Sequence, residues 1–179
     1  MCKFKVVFLV LLLCPASLVA QGQGTVSAGG GSGAPGSAVN IPVTLNLNAG
    51  TTVETLTFGV EIVANGPAPA LTGMLSFTKD SSLPAPNLVD TGAGPNLIAV
   101  AWLSPPFAPP LSGMKSLGVI TMTIPITAQN GQSYTVRVTG ASATLGDSVV
   151  TLTPGPNVAV NVVVPPGGGG RRRGQLISE

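Results

Sequence analysis

The sequence contains no histidine, and its two cysteines, Cys2 and Cys14, both fall near the amino terminus. The rest of the chain therefore lacks the usual general base, the ligands of most zinc sites and the common nucleophilic triads. What remains for acid–base or metal chemistry is a set of carboxylates: Glu54, Glu61, Asp80, Asp90, Asp147 and Glu179. A glycosidase needs two carboxyls placed across a sugar from one another. Glu54 and Glu61 are an odd number of positions apart in one extended run, which sends them to opposite faces of a strand, and the three aspartates stand among turn residues. The inventory reads as that of a protein that is not an enzyme. Calcium is the metal that oxygen-only ligands suit, and Asp80, Asp90 and Asp147 carry the carboxylates for it. They lack the Asp-x-Asp-x-Asp spacing of a calcium loop and read instead as caps on their own turns, so no cofactor or metal is expected.

Binding is the chemistry left. Sugar recognition usually wants a row of exposed rings, and Trp102 and Tyr134 are the only tryptophan and tyrosine. Trp102 shares a strand face with Ile98 and Val100 and reads as a core plug; Phe58 reads as core as well. Phe107, inside the PPFAPP stretch, is the expected exposed aromatic. The polar outward faces of two strands are the other candidates: Thr55, Thr57 and Glu61 beside Phe58, and Thr121 and Thr123 beside Ile120, taken together as an outer sheet face. Threonine also suits any exposed strand position, so β propensity alone explains these residues equally well.

The elements that must position these side chains are strands. Glycine, proline, threonine, serine and valine dominate while strong helix formers are sparse, and short apolar or β-branched runs recur between Gly, Pro, Asn and Asp, the pattern of a sandwich or barrel. The spacing predicts strands over residues 25–28, 38–46, 54–64, 71–78, 96–103, 115–126, 132–145, 148–152 and 157–164. The clearest alternation runs from Leu56 through Phe58 and Val60 to Ile62, with Thr55, Thr57, Gly59 and Glu61 on the other face. Pro42 lacks an amide donor, which predicts an edge strand or a bulge. Residues 96–103 are apolar on both faces, as in a strand covered on both sides. The Gln129-Asn130-Gly131 triplet predicts a turn. The expected fold is all-β, a two-sheet antiparallel sandwich.

The ends speak to compartment. Lys3 and Lys5 precede the apolar run Val6 to Leu13, then Pro15 and small residues, which reads as a signal peptide over residues 1–20. The run is far shorter than the roughly 20 residues that span a bilayer, so no transmembrane segment is expected. Cleavage is expected after Ala20, with Gly22 as the alternative. A lipid anchor on Cys14 would need a small residue where Leu13 stands. Without the leader, six basic residues balance six acidic ones, and half of the bases are Arg171, Arg172 and Arg173 in a Gly-rich tail over residues 165–179 that is expected to be disordered. No basic stripe for nucleic acid exists.

The runs APGSAVNIPVTLNLNAG, VETLTFGVEIV, LIAVAWLS, PLSGMKSLGVITMTIP and VAVNVVV, in that order, resemble the cohesin family of the carbohydrate-binding superfamily. The likeness rests on Pro35-Gly36 before Ile41-Pro42-Val43, on Phe58, on Val100-Ala101-Trp102, and on Leu111-Ser112-Gly113 leading into Leu117 to Ile120. It covers residues 24–164. Where the family has a Tyr-Asp-Pro-like turn, this chain has Val63-Ala64-Asn65-Gly66-Pro67. The resemblance implies a jelly-roll sandwich of about nine strands. It also implies a secreted or cell-surface, non-catalytic module that docks a dockerin-type partner linked to polysaccharide degradation, through the outer face of one sheet. Direct binding of an extracellular polysaccharide and a structural surface or matrix role are the alternatives.

Overall fold

The computed structural model describes residues 22–92 and 94–165. The expected signal peptide, both cysteines, the Arg171–Arg173 run and all but Pro165 of the tail lie outside the described residues. Fourteen strands follow one another: β1 (Gly24–Ala28), β2 (Gly31–Gly33), β3 (Ala38–Leu47), β4 (Thr52–Val53), β5 (Thr55–Ala64), β6 (Ser76–Lys79), β7 (Leu88–Asp90), β8 (Leu97–Trp102), β9 (Leu111–Ser112), β10 (Met114–Thr123), β11 (Ser133–Leu145), β12 (Ser148–Val150), β13 (Leu152–Pro154) and β14 (Val158–Val162). The excess over nine comes from pieces of two or three residues, such as β4 and β9, which pair only with each other.

Two sheets form the sandwich. The first runs β13-β1-β3-β10-β6, and the second β2-β14-β11-β5-β8-β7 with β12 attached to β11. The long strands β3, β5, β10 and β11 bury alternate residues, so Ile41, Val43 and Leu45 from one sheet and Leu56, Phe58, Val60 and Ile62 from the other meet in a common core. Pairing is antiparallel except at the margins, where β1–β13 and β14–β2 are parallel. The two-sheet all-β sandwich is as expected, antiparallel in its body with parallel pairs only at its margins.

Several local expectations change for physical reasons. Pro42 lies in β3, which is interior, between β1 and β10. It is tolerated because its amide side faces the point where β1 runs out: Ala28↔Val43 is the last pair, and the Pro42 carbonyl accepts from the Gly29 N–H beyond it at 2.7 Å. The strand expected over residues 71–78 shortens to Ser76–Lys79, since Leu71 and Leu75 bury themselves outside the ladder. Two short strands arise outside the expected runs: β2, in the glycine-rich segment between β1 and β3, and β7, after Pro84 and Pro86. The Asn130-Gly131 turn forms, with Gln132 N–H on the Gln129 carbonyl, yet it carries the chain from β10 in the first sheet to β11 in the second. On the outer face of β8, Ala101 is buried while Leu97 and Ala99 are half-buried, so the second side of this strand is covered only in part.

A bulge in β10 between Ser116 and Gly118 holds Gly118 at φ 144°, and a Cβ there would strike the Thr78 carbonyl of β6. Gly118→Ala is expected to destabilise the fold by about 3 kcal/mol, read as a lower urea midpoint at unchanged m value.

Candidate functional site

The carboxylates are engaged locally and apart from one another. Glu61 Oε2 accepts from Arg137 Nη2 at 2.7 Å and Nε at 2.9 Å across the β5–β11 pair. Glu54 Oε2 accepts the Gly146 N–H at 2.9 Å. The chain breaks its alternation at Glu54, between β4 and β5, so strand parity does not govern that side chain. Asp90 Oδ1 caps the Gly92 N–H at 2.7 Å, and Asp80 Oδ1 accepts from the Ser82 N–H at 2.9 Å and its hydroxyl at 2.7 Å. Asp147 stands exposed in the turn between β11 and β12. No three potential ligands gather among the described residues.

The two groups of candidate recognition residues part company. Thr55, Thr57 and Glu61 face outward from β5 in the second sheet, whereas Thr121 and Thr123 face outward from β10 in the first. They therefore lie on opposite sides of the sandwich and form no single face. Phe107 is a correction of another kind: at 3% exposure it is buried, because the proline loop folds back and lays its ring 5.7 Å from that of Trp102. Trp102 is fully buried, as its strand pattern implied, and its indole N–H donates to the Pro84 carbonyl at 3.0 Å. Tyr134 is fully buried too, with its hydroxyl donating to the Pro69 carbonyl.

The outer face of the second sheet gathers residues from four adjacent strands. The pairs Thr57↔Ala101, Gly59↔Ala99 and Glu61↔Leu97 align β5 with β8, while Ser142↔Thr57, Thr139↔Gly59 and Arg137↔Glu61 align it with β11. Leu88 of β7, 47% exposed, sits opposite Ala101. One half of the face is thus a shallow strip of Leu88, Leu97 and Ala99, edged by the exposed Asp90 opposite Ala99; the other is a row of hydroxyls interrupted by one ion pair. Gly59 keeps the centre low, since a Cβ there would run into the Thr139 hydroxyl. Thr55 is tied to Thr144, hydroxyl to hydroxyl, at 2.8 Å. Sequence reasoning missed the contribution of β7 and β8; the available signal was the apolar character of residues 96–103 on both faces. The outer face of the first sheet differs: it is made of Thr25, Ser27, Asn40, Thr44, Asn46 and Thr121 with their neighbours, and the Thr121 hydroxyl donates to Asn40 Oδ1 at 2.9 Å.

No family model and no curated protein matches the sequence. Solved structures do match the fold. A cohesin from Clostridium acetobutylicum, CaCohA2, determined in complex with CaDoc0917, superposes with TM-score 0.60 at 19% identity over 78% of this chain and 99% of that one. The third cohesin of ScaC from Acetivibrio cellulolyticus, in complex with the ScaB dockerin, gives TM-score 0.56 at 15% identity over 79% and 99%. A non-cellulosomal cohesin from the archaeon Archaeoglobus fulgidus gives 0.52 at 18% over 79% and 92%. The chain has the cohesin fold.

Hydrogen bonds from Ser82, then from Ser116, hold the Asp80 carboxyl below its ordinary value of 3.8. A depressed carboxyl contributes stability above its unfolded-state value and loses it as pH falls through the folded one. The urea midpoint is therefore expected to drop as pH falls below about 4. Asp80→Asn should be less stable than the parent at neutral pH and show a shallower acid limb.

Proposed function

We propose that this chain is a secreted, non-catalytic docking module that receives a dockerin-type protein module linked to extracellular polysaccharide degradation. The docking surface in this reading is the outer face of the second sheet, centred on Thr57, Gly59 and Ala99. The observation that carries it is the state of β8. A strand apolar on both sides normally has a layer on each side, yet here only Ala101 is fully covered on the outer side, while Leu97 and Ala99 are partly open near an exposed Leu88. Such a strip beside hydroxyls and a self-neutralised ion pair has the character of a protein interface: a desolvated apolar centre with a polar rim. Two cohesins of the same fold were solved with such partners bound, which supports this choice of partner class. The leader-like residues 1–20 support export. Direct polysaccharide binding is less well supported, because neither sheet face presents an exposed ring among the described residues.

The test is a pull-down from culture supernatant with the full chain immobilised, run beside a panel of insoluble polysaccharides, with captured proteins identified by mass spectrometry. Recovery of enzymes that carry a calcium-loop docking module is expected. Thr57→Arg should weaken that capture by about tenfold or more, since a bulky cation at the centre of a docking face is desolvated without a partner. Thr121→Arg, on the other side of the sandwich, should leave it unchanged. Retention on a glycan with no protein captured would replace this reading, and sensitivity to Thr121→Arg alone would move the face to the first sheet.

A further inference from the structure

At the end of the sandwich where β8 leaves and β10 begins, the proline loop and the loop after β6 enclose a cleft of about 280 Å³. Its walls are Leu83, Pro84, Pro106, Pro109, Pro110 and Leu111, its floor is the buried Phe107 ring over Trp102, and Lys115 stands at its rim. The cations of the described residues are Lys79, Lys115 and Arg137. Arg137 is closed on Glu61, and the Lys79 ammonium is taken by the carbonyls of Leu83 at 2.6 Å and Asp80 at 3.3 Å. Lys115 has neither a hydrogen bond nor an ion pair among the described residues and is exposed. The nearby carboxylate, Asp80, is already satisfied by Ser82 and Ser116.

We propose that this cleft is a second binding site, separate from the docking face, that takes one aromatic or aliphatic side chain of an acidic peptide and holds the adjacent carboxylate on Lys115. Size argues for a single anchoring side chain, because the cleft lies at the lower limit of ligand pockets, roughly 300 Å³. Charge argues for an anion: the described residues carry five acids against three bases, and the one uncommitted cation is here. Wall chemistry argues for a peptide over an acidic sugar. The exposed lining is divided about evenly between polar and apolar atoms, which suits a peptide, whose apolar side chain is joined to a polar main chain, whereas a sugar needs each hydroxyl matched. Of the two hydroxyls at the cleft, that of Ser82 already donates to Asp80.

The experiment is an amide-shift titration of the ¹⁵N-labelled full chain with N-acetylphenylalanine, its carboxamide, and glucuronate. N-acetylphenylalanine is expected to shift Leu83, Phe107, Leu111, Ser112 and Lys115, and to bind about two- to fivefold more tightly than the carboxamide, as befits one exposed ion pair. Lys115→Gln should reduce the acid to the carboxamide's affinity, Lys115→Arg should restore it, and added salt should narrow the difference. Three results would overturn the proposal: no shifts at the cleft at about 10 mM probe, where even a millimolar site is occupied; equal binding of acid and carboxamide; or glucuronate alone shifting these residues.

Discussion

No cysteine lies among the described residues, so no disulfide joins them; the two sheets are held by what they bury between them, and the aromatic rings of that core gather around Trp102. Its ring lies 6.4 Å from Phe58, 6.0 Å from Phe77 and 5.7 Å from Phe107, which ties β5, β6, β8 and the proline loop into one contact. The indole N–H would be a buried unpaired donor without the Pro84 carbonyl, so the loop after β6 must fold over this end of the sandwich. The other three elements meet at the rings, but this one is called by a hydrogen bond. Everything downstream follows from that closure: Phe107 goes inward, the prolines turn outward, and the cleft beside Lys115 is the space left between the two loops.

The opposite end of the molecule is organised by the same economy with different means. Tyr134 occupies the base of β11, fully buried, and donates to the Pro69 carbonyl in the connection after β5. Burial pushes the Tyr134 phenol above its ordinary value, consistent with a hydroxyl kept neutral and bonded. Both large polar aromatics thus act as rivets, each pairing one polar atom with a loop carbonyl while the ring fills the core. Neither is free to serve as a stacking platform, so the outer faces offer shape, hydroxyls and small apolar side chains instead.

Much of this architecture was legible in the sequence, and the illegible parts share a cause. The alternation of β3 and β5 and the long strands β10 and β11 follow from side-chain period alone, because a strand that buries one face writes that period into its residues. Turn chemistry placed Asp80 and Asp90 correctly as local caps, while Asp147 stands in its turn without one, and the Ile98-Val100-Trp102 register made Trp102 a core residue. What failed required knowledge of which strand lies beside which. Pro42 suggested an edge, but its tolerance depends on where β1 ends. Thr57 and Thr121 read alike along the chain and part only when β5 and β10 are assigned to different sheets. Phe107 looked exposed since a loop rich in proline has no period to say which way a ring points; its contact with the Trp102 ring of β8 is a tertiary one. The short strands β2, β4, β7 and β9 exist by pairing with a partner and have no internal pattern to reveal them.

The sheet margins favour a face over an edge for the proposed docking. An exposed edge presents unpaired amides and carbonyls that invite further strands. Here β6, β7, β13 and β2 close the two sheets, and each is only three or four residues long. Pro154 ends β13, two glycines flank Ser32 in β2, and Asp90 ends β7 with its carboxylate turned back onto the Gly92 amide. Short, interrupted margins give little ladder for an added strand. The outer face of the second sheet, by contrast, keeps its register across β5, β8 and β7 and is interrupted once, by a bulge between Thr139 and Ser142 of β11, so its apolar strip and hydroxyl row are held in place by main-chain hydrogen bonds. A partner meeting that face finds side chains already ordered, and the entropic cost of association falls mainly on the partner.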